Sequence, residues 1–169
     1  MKTIYVAFYK GKSFWPSRLI RWITWSDYSH VAVQFPDENG VVYEAWASGI
    51  RCVASLSAQH QPGTSVDIFT IEVDQTSYDL IIQALQSKLG NPYDWTGVFR
   101  FFAIARLFMS KDPTYSELVR WFCSEYVAWA FFQGFVRILN KPFWKQSPAD
   151  QAASPELTYL KTITTEETL

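Results

Sequence analysis

Charged side chains are scarce in this chain, 18% of 169 residues, against about a quarter in an ordinary globular domain. Basic and acidic residues are mixed along the sequence and nearly cancel, leaving a net charge of −1. Without a basic stripe there is no electrostatic footprint for nucleic acid, so nucleic acid is excluded as an expected partner. Long apolar runs are lacking too. The uncharged run from Tyr126 to Val136 is far short of the roughly 20 residues a spanning helix needs, so no transmembrane segment is expected. The apolar part of Met1 to Lys10 is too short for a signal peptide and reads better as a strand. With no export signal the expectation is cytoplasmic, with Cys52 and Cys123 as free thiols.

Cysteine and histidine are rare, two of each, and none stands at the close spacing that zinc sites use. No metal and no cofactor is therefore expected. Cys52 lies in a strand-like stretch with Arg51 and Val53 and reads as core. His60 sits in Gln59-His60-Gln61-Pro62-Gly63 and reads as a solvated loop residue. No repeat, low-complexity segment or linker divides the chain, so residues 1–169 read as one domain, with an irregular tail over 151–169. Aromatic residues, by contrast, are abundant: eight Trp, nine Tyr and thirteen Phe. They can fill a large core, line an apolar pocket, or do both.

Strands are expected at Thr3 to Tyr9, Ser29 to Phe35, Val41 to Trp46, Ile50 to Ala54 and Val66 to Val73, with a short one near Leu157 to Thr162. Helices are expected at Trp15 to Trp25, from Thr76 or Ser77 as cap to Leu89, at Trp95 to Met109, and after Cys123 as far as Gly134. Lys111-Asp112-Pro113 is expected to break the chain between the last two. Strands early and helices late indicate an α+β fold.

Two of the strands flank Pro36-Asp37-Glu38-Asn39-Gly40, a hairpin loop by its turn chemistry. If Phe35 pairs with Val41, Ala32 opposes Glu44 and His30 opposes Trp46. His30 and Glu44 then share a face as diagonal neighbours, about 7–8 Å apart at the backbone. If Phe35 pairs with Asn39, the two are directly opposite. Either register brings them together, and Val31, Val33 and Phe35 point the other way, into the core. A carboxylate that accepts from one imidazole nitrogen fixes the tautomer and direction of the other. A polar pair on a solvated sheet face is the alternative.

Cys123 stands in Trp121-Phe122-Cys123-Ser124-Glu125-Tyr126-Val127. A thiol in the first turn of a helix gains from the helix dipole and from unpaired backbone N–H groups that can hold an oxyanion. Ser124 and Glu125 suit such a first turn. Yet neither Gly nor Pro separates Ser116 from Cys123, and one unbroken helix over Ser116 to Phe135 would bury the thiol as an inert small hydrophobe. The residues alone leave both readings open.

Ser29-His30-Val31, Tyr43-Glu44-Ala45, Gly90-Asn91-Pro92-Tyr93-Asp94-Trp95 and Phe122-Cys123-Ser124-Glu125-Tyr126-Val127 occur in this order. The chain thereby resembles the circularly permuted NlpC-type cysteine hydrolases of the YiiX-like and YebB-like kind. These belong to the papain-like superfamily and are distantly similar to lecithin retinol acyltransferase. The resemblance runs from about Tyr5 to Asp150. It implies a permuted papain-like fold, an antiparallel sheet packed against helices, with a break just before Cys123. It implies Cys123 as nucleophile, His30 as general base and Glu44 as the residue that orients it. Tyr93 resembles the tyrosine that lines such sites, and Asp94, Tyr28, Trp46 and Ser124 are the other substrate contacts expected. Tyr126 departs from the pattern, where an aliphatic residue is commoner.

The function expected is cleavage of an amide bond in a peptide or cell-wall-type peptide through a thioacyl-enzyme. A lipid esterase, thioesterase or acyltransferase on the same residues is the runner-up, and a non-catalytic binding module that kept the fold is the alternative of another class. Two aromatic, arginine-bearing segments, Phe14 to Trp25 and Phe99 to Met109, bear on the substrate. They can pack on the sheet with their Arg heads in water, or make peripheral contact with lipid.

Overall fold

The computed structural model describes residues 1–11, 26–58, 60–94 and 121–166. The helices expected at Trp15 to Trp25 and Trp95 to Met109, the Lys111-Asp112-Pro113 break and both aromatic, arginine-bearing segments lie outside these residues. Strands β1 (Lys2–Tyr9), β2 (His30–Phe35), β3 (Val41–Trp46), β4 (Gly49–Val53) and β5 (Ser65–Val73) come first. Helices α1 (Gln75–Ser87), α2 (Cys123–Gln133) and the short α3 (Pro148–Ala152) follow, and β6 (Thr158–Thr164) comes last. The fold is α+β, with one six-stranded sheet in the order β4-β3-β2-β1-β5-β6 and every pair antiparallel.

Alternation along the strands sends side chains to two different interiors. Ile4, Val6, Phe8, Val31, Val33 and Phe35 pack with Ile81 and Leu85 of α1 and with Tyr126, Val127 and Phe131 of α2, in the main core. On the other face Ala7, Tyr9, Ala32, Val42, Val66 and Ile68 form a smaller cluster with Leu56 and Ile163. The two helices meet closely at Gly134, the C-cap of α2. A Cβ there would collide with Ile81 Cγ1 and crowd Ser77 O, so no larger residue fits without a shift.

Several boundaries differ from the sequence reading for local reasons. The cap of α1 is Asp74, whose carboxylate accepts from Ser77 N–H, instead of Thr76 or Ser77. The tail holds the short strand expected near Leu157 to Thr162, and a short helix precedes it. Ser147 and Asp150 form a reciprocal capping box that starts α3, and β6 extends the sheet beside β5. Cys52 is exposed rather than core, because β4 is an edge strand.

The β2–β3 loop turns through a 3₁₀ segment, Pro36–Glu38, and two left-handed residues, Asn39 (φ 56°) and Gly40 (φ 71°). This turn sets the register in which Phe35 pairs with Val41 and Ala32 with Glu44. A second device anchors the chain after α1. Ile50 N–H donates to Asn91 O (2.8 Å) and Gly90 N–H to Ile50 O (3.0 Å). Residues 90–94 are thereby pinned to β4, and Gly49 is required there, since a Cβ would lie 2.8 Å from Asn91 O.

Candidate active site

The chain breaks immediately before Cys123. Phe122 is the N-cap of α2, with extended φ −99° and ψ 165°. The cause is distant in sequence. Trp121 bridges Tyr93 in a parallel pair, with Asp94 N–H donating to Trp121 O (3.1 Å) and Trp121 N–H to Pro92 O (3.4 Å). A backbone paired to another strand cannot also carry helical hydrogen bonds, so α2 opens at Cys123. The first intrahelical bond runs from Tyr126 N–H to Phe122 O, which leaves the earlier N–H groups without a helical partner.

His30 is the first residue of β2, and its ring is buried. Its Nε2 lies 2.6 Å from Glu44 Oε2, which leaves Nδ1 for other partners. Cys123 supplies one. Burial alone would lower the His30 pKa, but hydrogen bonds with Cys123 and Glu44 raise it further, to about 9. Glu44 is wholly buried and accepts from several donors. Arg51, its cross-strand partner on β4, donates from Nε to Oε1 at 2.8 Å and also from Nη2. His60 Nε2 stands 3.2 Å from Oε2. Burial would raise the Glu44 carboxyl, but the two histidines hold it well below the usual carboxylate range.

His60 is therefore no solvated loop residue. Its side chain is only 6% exposed. The ring stacks on Tyr9 with centroids 4.0 Å apart and meets the Trp46 edge at 4.6 Å. Burial is the main cause that lowers its pKa, and the bond to Glu44 only partly offsets it. The sequence held no spacing signal for this residue, since a loop returns it to the sheet.

The expected substrate contacts divide. Tyr93 joins the site: its hydroxyl is pushed up first by burial and then by the neighbouring Cys123, with which it hydrogen-bonds. Trp46 stands edge-on to His30 at 5.3 Å and under the Arg51 guanidinium at 4.6 Å. Asp94 lies beside Glu125 and touches the site through its charge. Tyr28 does not join it; the hydroxyl donates to Asp67 (2.6 Å), which also pairs with Lys10 (2.7 Å). Ser124 is fully buried, its hydroxyl donating to Gln146 O (2.7 Å), so it anchors the segment before α3 and is closed to a substrate.

Glu125, in the first turn of α2, is buried, and its Oε2 finds no partner among the described residues. Burial and then the charge of Asp94 push its pKa up to about 8, against the pull of a hydrogen bond from the Phe122 backbone. It thus keeps its proton for the most part at neutral pH, which limits negative charge in the first turn of α2.

No family model matches this sequence, and no curated protein matches it. Among solved structures the chain is similar to the metalloprotein YiiX from Escherichia coli O157:H7, a DUF1105 protein. The match has a TM-score of 0.67 and 19% identity, over 95% of this chain and 96% of that one. The fold is YiiX-like. Among the described residues no helix is long and apolar enough to cross a membrane.

Proposed function

We propose that the chain is a thiol hydrolase of the circularly permuted NlpC type, one domain throughout, which cleaves an amide bond in a peptide-like substrate. The observation that carries this reading is the relay Cys123–His30–Glu44, with the thiol at a helix start and the imidazole bonded on both sides. A binding module without chemistry has no use for such a relay.

In the proposed reaction the thiol proton passes to His30 Nδ1 before the sulfur attacks the carbonyl carbon. The free N–H groups opening α2 face the oxyanion that develops. The C–N bond then breaks, and His30 returns its proton to the leaving amine. Water, deprotonated by the same nitrogen, adds to the thioester. The acid leaves and the thiol regains its proton. Glu44 keeps the second imidazole nitrogen protonated and the ring aimed throughout.

The two cysteines make the test. Cys52 is exposed and Cys123 buried, so accessibility alone predicts faster alkylation at Cys52. With limiting iodoacetamide, read by peptide mass spectrometry, Cys123 is expected to react at least tenfold faster, and His30→Ala to reverse the order. Faster labelling of Cys52 in the wild-type protein would overturn the assignment.

A further inference from the structure

His30, Glu44 and His60 come from β2, β3 and a loop, and one ligand atom of each lies within 4.8 Å of the others. Two imidazole nitrogens and one carboxylate oxygen are a donor set for zinc and related divalent transition ions. The shell around them is equally specific. Arg51 holds Glu44 by Oε1, so that Oε2 is the oxygen offered to both histidines. Tyr9 and Trp46 wall the His60 ring on two sides, and such supports orient ligands and limit water.

The fit can be gauged from bond lengths. Ligands at about 2.0–2.2 Å in a tetrahedral arrangement stand roughly 3.3–3.5 Å apart. His60 Nε2 is already 3.2 Å from Glu44 Oε2, and His30 Nε2, at 2.6 Å, needs to move out by less than an ångström. A fourth position is left to water.

We propose that His30, Glu44 and His60 form a binding site for a divalent transition ion of the zinc class. The site stands on the placement of the three ligand atoms and holds whether or not the chain is a hydrolase. A bound ion would take the place of the hydrogen bond between His30 Nε2 and Glu44 Oε2, so the ring would bind the ion through the same nitrogen that now faces the carboxylate.

Titration of Zn²⁺ into metal-free Cys123→Ala protein, followed by calorimetry, is the first test. One ion per chain is expected, with at least tenfold weaker binding in Cys123→Ala/His60→Gln and in Cys123→Ala/Glu44→Gln. Circular dichroism checks that each variant is folded. Co²⁺ added to the wild-type chain should give tetrahedral d–d absorption without a thiolate-to-cobalt band. Absent binding, binding indifferent to His60→Gln, or a thiolate band would overturn the site. Ion binding is read without turnover, so an inactive chain that binds Zn²⁺ counts against the hydrolase reading alone, and an active chain that binds none counts against the ion site alone.

Discussion

Glu44 and Glu125 are both buried glutamates beside the same relay, and they differ in protonation. Glu44 receives hydrogen bonds from His30, His60 and Arg51 and stays ionised. Glu125 has one backbone donor, an Oε2 without a partner among the described residues and the charge of Asp94 nearby, and it keeps its proton up to a pKa of about 8. Burial opposes ionisation in both; the donors that surround each carboxyl decide the outcome. The result is a polarised site. The negative charge sits behind the imidazole, where it supports a proton on the ring, and is suppressed in the first turn of α2, where it would oppose a thiolate. Each prediction below tests one side of that contrast.

The largest effect is expected from Glu44→Gln. Only donors face this residue, and an amide cannot accept from all of them. His30 is then free to turn over, so that Nδ1–H faces the thiol and cannot take its proton. The reactivity of Cys123 toward iodoacetamide should fall by roughly 10²–10⁴. Arg51 also loses its charged partner in the interior, so stability in urea should drop by about 3 kcal/mol. Full reactivity in a folded Glu44→Gln protein would break the claim that Glu44 orients the base.

Glu125→Gln tests the opposite side through pH. A carboxyl whose folded pKa of about 8 lies above its ordinary 4.5 binds more protons folded than unfolded. Its contribution is fully present below pH 4.5 and is lost as the pH climbs from there to 8. At about 1.4 kcal/mol per pH unit, the decline is on the order of 4 kcal/mol. Glu125→Gln, which cannot ionise, should remove this slope and gain stability relative to the wild-type protein at pH 8. Urea midpoints measured at pH 5 and pH 8 check it. Parallel declines in the two proteins would mean that Glu125 is ionised in the fold.

How much of this arrangement the sequence discloses depends on how local its causes are. The His30–Glu44 hairpin is legible because the loop chemistry of Pro36 to Gly40 specifies the register. Arg51 is within reach too, since the next hairpin places it opposite Glu44, but attention to Cys52 as the core residue of that strand conceals the pairing. The exposure of Cys52 follows from the edge position of β4, a property of sheet order that no single segment carries. The helix start at Cys123 is hidden for a different reason. Hydrogen bonds to Pro92 and Asp94 hold Trp121 extended, and those partners are nearly thirty residues away. His60 is the least legible of all, because a loop brings it back against Tyr9 and Trp46.

Arg51→Met should have the smallest effect, and it separates the two halves of the Glu44 environment. The substitution keeps most of the side-chain volume and removes the donors to Oε1, while His30 and His60 still hold Oε2. The loss is that of charge-assisted hydrogen bonds on a carboxylate that retains other partners, about 1–3 kcal/mol in urea unfolding. Because the His30–Glu44 bond survives, Cys123 alkylation should slow far less than in Glu44→Gln. Equal slowing in the two variants would mean that the guanidinium, and not the carboxylate alone, fixes the imidazole, and the contrast between the two glutamates would then have to be drawn between Arg51 and Asp94 instead.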